Sequence, residues 1–185
     1  MSVKSLWSIL SIGIALSSAI AMAQEKAETA CEAPARLTEP WTSWTQSGAA
    51  VAGGESAAAP RLILGKPVTA TLRPANYVQY AVKPGKGAGE GQGGLFTLSV
   101  KVPARVGIAL SDAAWVDVVD GRTVLASVEH DHGPACSGIR KIVWFDLVAG
   151  VHLIQIAGAP GREIRIMAAD AMANQSAPPA EDDGF

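Results

Sequence analysis

The densest group of reactive side chains is the run Glu129-His130-Asp131-His132-Gly133-Pro134-Ala135-Cys136. Residues two apart on an extended chain face the same side, so His130 and His132 offer two imidazole nitrogens to one point. Paired imidazoles suit a Zn, Cu or Fe ion. A third ligand would come from Glu129, Asp131 or His152, the only other histidine, and the expected metal set is His130, His132 and His152. The same run also reads as a polar surface loop with solvated imidazoles, because a metal site needs a third protein ligand that the spacing does not supply. No residue earns a catalytic role from spacing.

Cys136 closes that run, and the only other cysteine is Cys31. An even pair in an oxidising compartment most simply forms one disulfide, closing a loop of about 105 residues worth roughly 4–5 kcal/mol in the chain-entropy description. The alternative is a thiolate ligand at Cys136, which without its metal would oxidise outside the cell.

Other motifs carry less. The glycine-rich stretch 85–94 lacks the Gly-Lys-Ser/Thr ending of a phosphate loop and leads into a strand instead of a helix, so it reads as a flexible connection. There is no Gly-x-Ser-x-Gly elbow. Trp115, Trp144 and the arm tryptophans Trp41 and Trp44 could form a sugar-stacking platform, which would make the chain a carbohydrate-binding module, or could simply pack a sheet. Charge excludes a nucleic-acid footprint: 15 basic residues face 17 acidic ones, and no basic run exceeds the Arg140-Lys141 pair.

The compartment follows from the first residues. Lys4 precedes an apolar stretch over 6–20, and Ala21-Met22-Ala23 supplies small residues at −3 and −1, the pattern of a cleavable signal peptide over 1–23. Read instead as a membrane anchor, the stretch is short and diluted by serines. Cys31 is too far past Ala23 for a lipid anchor. The expected location is periplasmic or secreted, with no membrane span after cleavage and no nucleic acid as partner. The expected partner is a ligand, or a cell-envelope protein, whose identity the residues leave open.

These residues need a scaffold, and the pattern predicts an all-β one. Residues 24–60 read as an N-terminal arm held by Cys31, Trp41 and Trp44, and 169–185 as a disordered acidic tail. Between them, 61–168 is a series of short runs rich in Val, Ile and Thr, broken by Gly, Pro or Asp. This predicts an antiparallel β-sandwich or jelly roll of about nine short strands, at 68–72, 77–82, 95–102, 105–110, 115–119, 123–128, 139–147, 151–157 and 163–167. Asp120-Gly121 marks a hairpin. In the strand over 139–147, Ile139, Val143, Phe145 and Leu147 form the core face, with Lys141 the exception on it. The strand over 151–157 is apolar on both sides, hence central.

Two resemblances extend this reading. Tyr77-Val78-Gln79-Tyr80, then Leu95-Phe96-Thr97-Leu98-Ser99-Val100, then the turn through Leu147-Val148-Ala149-Gly150-Val151-His152-Leu153 resemble the pre-peptidase C-terminal type of β-sandwich, over about 62–167. More closely, Ala114-Trp115-Val116-Asp117-Val118-Val119, His130-x-His132-Gly133-Pro134-x-Cys136-x-Gly138-Ile139-Arg140-Lys141 and Leu153-x-Gln155-Ile156-Ala157 are similar to short exported alphaproteobacterial proteins that often carry the label homogentisate 1,2-dioxygenase. That resemblance implies a non-haem iron dioxygenase acting on homogentisate, with His130, His132 and Glu129 or His152 around the iron. The residues by themselves support an exported accessory or binding domain with a candidate divalent-metal site.

Overall fold

The computed structural model of the protein describes Cys31 and residues 33–172. The expected signal peptide and residues 173–185 of the expected acidic tail lie outside the described residues, while Ala169 and Asp170, expected to start that tail, instead end the last strand. Short β-branched runs punctuated by turns give twelve strands: β1 (Ala49–Val51), β2 (Arg61–Leu62), β3 (Val68–Thr71), β4 (Arg73–Pro74), β5 (Gln92–Val100), β6 (Ala104–Leu110), β7 (Trp115–Asp120), β8 (Thr123–Val124), β9 (Glu129–Asp131), β10 (Lys141–Leu147), β11 (Gly150–Ala159) and β12 (Glu163–Asp170). Two single 3₁₀ turns, Ser56–Ala58 and Ala75–Tyr77, are the other regular elements among the described residues. No helix among them is long and apolar enough to cross a membrane.

The strands form two sheets in a sandwich-like arrangement. One runs β1-β3-β12-β6-β10-β9, the other β2-β5-β11-β7-β8, with β4 also on β5. The all-β expectation holds, but the sheets are mixed: β1 joins β3 in parallel and β2 joins β5 in parallel. Both parallel strands come from the stretch expected to be an arm or from its boundary, so the sandwich starts before position 61. β11 lies between β5 and β7, the central place its two apolar faces indicated.

Alternation places Phe96, Leu98, Ile108, Val143, Phe145, Ile154, Ile156 and Ile164 between the sheets. The outer face of the first sheet carries a second apolar cluster, in which Trp41 and Trp44 cover Ile139, Ile142 and Met167; Ile139 is not on the core face expected for it, because β10 and its alternation begin only at Lys141. Each indole removes about 150–250 Å² from water, an upper bound of roughly 4–6 kcal/mol at 25 cal/mol/Å². Polar contacts fix the arm: Arg165 donates to the carbonyls of Trp44 at 2.8 Å and Gln46 at 2.9 Å. Cys31 and Cys136 are disulfide-bonded, with Cα atoms 5.6 Å apart.

Two predicted strands differ from the structure for a physical reason. Segment 77–82 joins no sheet, because the side chain of Gln155 supplies the partners that a neighbouring strand would have offered. Its Oε1 accepts from the amides of Ala81 (2.8 Å) and Val82 (3.2 Å), and its Nε2 donates to the Val82 carbonyl (3.0 Å). Segment 123–128 pairs only over β8 and then leaves the second sheet. Leu125 still donates to Val118 (2.8 Å), whereas Val128 donates to Trp144 of the first sheet (2.8 Å). The chain thus crosses from one sheet to the other just before the histidine run.

Candidate functional site

That crossing builds the site. β7 ends in the Asp120-Gly121 hairpin, where Gly121 has φ +60° and Asp120 pairs with Thr123. After the crossover, β9 runs antiparallel to β10 with His130 opposite Val143. Trp115 on β7 and His130 on β9 therefore border the same open end of the sandwich from different sheets. Between them lies a cleft of about 510 Å³, lined among others by Trp115, His130, His132, Arg140 and Lys141. A smaller one of about 220 Å³ shares Trp115, His130 and Lys141 with it and runs inward to Val143 and Phe145.

The third wall comes from the glycine-rich stretch, whose Lys86, Gly87 and Glu90 line the larger cleft beside Ala157 and Gly158. Gly87 and Gly158 cross so closely that a Cβ on Gly87 would lie 2.6 Å from the Gly158 Cα. Both have positive φ, +71° and +65°, which glycine adopts without steric cost. The stretch is thus a fitted wall, and its sequence function is close backbone approach.

Both histidines of the H-x-H pair border the cleft, as alternation implied. His130 Nε2 is 2.8 Å from the Ser127 hydroxyl, and His132 Nδ1 donates to the Arg140 carbonyl at 2.8 Å. His152 is elsewhere: it sits on β11 opposite Leu98, buried, with Nε2 donating to the Val148 carbonyl at 2.9 Å and Nδ1 without a partner. Among the described residues no three His, Cys, Asp or Glu side chains gather around a point that could hold a metal ion. The proposed set of His130, His132 and His152 is not assembled. Cys136 is committed to its disulfide, and Asp131 accepts from the Trp144 indole at 3.0 Å. Among the described residues no side chains assemble the two-His, one-carboxylate iron centre that the dioxygenase resemblance implies.

Lys141 also lines the cleft, although it belongs to none of the candidate ligand sets. It starts β10 on the core-facing side, and its Nζ donates to the Ala114 carbonyl at 2.9 Å. Half-burial pushes its amine below the ordinary lysine value, because a charge leaving water is disfavoured. Its signal in the sequence was a lysine in register with Val143, Phe145 and Leu147. Trp115 is held by its indole N–H donating to Asp117 (2.7 Å), which also accepts from the Gly85 amide (3.3 Å); Lys86 lies 5.7 Å from the Trp115 ring centre.

Two of the other described tryptophans present no open face for stacking. Trp41 and Trp44 are 7% and 2% exposed, and Trp144 meets Trp41 edge-on at 5.8 Å. No protein-family model matches the chain, and no curated protein matches it.

Proposed function

We propose that this chain is an exported binding domain whose site is the cleft at the open end of the sandwich. The observation that carries the reading is the cleft itself, about 510 Å³ and walled by both sheets and the glycine-rich segment. That volume is in the range of small-molecule sites, and such sites combine apolar walls with a few placed polar groups. Trp115 and Ala114 supply apolar wall; Lys86, His130, His132, Arg140 and Lys141 supply polar groups. The disulfide supports an oxidising compartment, periplasmic or secreted.

The test is a fragment screen by NMR on the full chain with its disulfide intact. Hits are expected to shift the Trp115 indole N–H resonance and to be lost in His130→Trp, which fills the cleft from an exposed position. Hits that leave Trp115 unmoved, or that survive His130→Trp, overturn the reading.

A further inference from the structure

Three cationic side chains line the cleft, Lys86, Arg140 and Lys141, against two carboxylates, Glu90 and Asp131. Asp131 is engaged with the Trp144 indole. Among the described residues the one ion pair is Arg105 with Asp146, at the end of the β6–β10 ladder away from Lys141. None of the three cleft cations therefore has a carboxylate of the described residues within ion-pairing distance. For Lys86 and Arg140, which are exposed, water answers for this. Lys141 is different, since it is half-buried and its one partner among the described residues is the neutral carbonyl of Ala114. A charge drawn out of water without a counter-ion is costly, and the lowered affinity of this amine for its proton reflects that cost.

Resting on the binding reading above, we infer that the cleft takes a small organic carboxylate, its charge set between Lys141 and Arg140 and its apolar body against Trp115 and Ala114. A carboxylate placed there restores the missing counter-charge at Lys141, and Arg140 offers a planar fork that matches it. The apolar wall argues for a carboxylate on a carbon body instead of a bare inorganic anion. His130 Nδ1 and His132 Nε2 have no hydrogen-bond partner among the described residues and border the same space, where they can hydrogen-bond polar substituents on that body.

The experiment is calorimetric titration of the full-length disulfide-bonded protein with benzoate, benzamide and inorganic phosphate. Benzoate is expected to bind at least tenfold more tightly than benzamide, to weaken as salt is added, and to lose about tenfold or more in Lys141→Met. Arg140→Gln, at an exposed position, is the second variant should Lys141→Met not fold, and is expected to weaken benzoate severalfold and by a larger factor than benzamide. Equal binding of benzoate and benzamide overturns the carboxylate inference and leaves the binding domain standing. Phosphate binding as tightly as benzoate removes the apolar body from it. If none of the three binds and the fragment screen is also silent, both readings fall.

Discussion

Gln155 is the side chain on which the cleft wall depends, and replacing it by methionine isolates that dependence. The side chain is fully buried and makes three hydrogen bonds to segment 77–82, two to amides and one to a carbonyl. Methionine has a similar volume, so little cavity forms and the change is mostly the loss of those bonds. At a net 0.5–1.5 kcal/mol each, three bonds amount to roughly 1.5–4.5 kcal/mol. Ala81 is exposed and its amide can turn to water, which places the expected loss in the lower half, about 2–3 kcal/mol. Tyr80 alone would then tie the segment to β11, through its hydroxyl to the Ile156 carbonyl at 3.2 Å. The segment leads directly to Lys86 and Gly87, so its release should loosen the cleft as well as the fold. Urea denaturation reads the stability and amide hydrogen exchange at Ala81 and Val82 reads the release. A loss under about 1 kcal/mol together with unchanged exchange at those two amides would refute the latch.

Gly87→Ala is expected to cost about 2 kcal/mol or more, from its positive φ and from a Cβ 2.6 Å from the Gly158 Cα; thermal melting checks it, with a drop of roughly 4–8 °C for a chain of this size. Cys136→Ser opens a link of sequence separation 105 and should lower stability by about 4–5 kcal/mol in the chain-entropy description, measured by urea denaturation against the oxidised protein. For Lys141, the folded-state proton affinity is lowered by desolvation, so between the folded and unfolded values the unfolded chain binds the proton more tightly and stability rises with pH. Lys141→Met removes that contribution, and urea midpoints measured from about pH 8 to 10 should rise less steeply than in the parent; parallel curves would count against the burial of its charge.

The larger outlines of the fold were legible because they rest on period and punctuation. The alternation Val143, Phe145, Leu147 located the inner face of β10, and the apolar runs on both sides of Ile154 and Ile156 marked β11 as central. What escaped was decided by partners distant in sequence. Tyr77 to Val82 has strand composition, but a glutamine on β11 takes its backbone groups. The arm was expected to be held by its tryptophans, and burial of Trp41 and Trp44 agrees; that Ala49–Val51 would pair with β3 depended on register that three small residues do not announce.

The site was legible in its members more than in its chemistry. Alternation brought His130 and His132 to one side, and they border one cleft. Adding His152 rested on its being the sole remaining histidine, whereas position along β11 places it opposite Leu98 in the other sheet. Lys141 was visible as the odd residue on a core face, yet its meaning came only from the crossover between β8 and β9. That crossing leaves the sandwich open at one end, and an inward-facing lysine there reaches a cleft instead of a hydrocarbon core. A charged residue interrupting an apolar alternation at a strand terminus is therefore informative in proportion to how the neighbouring strands close over it, and here they part.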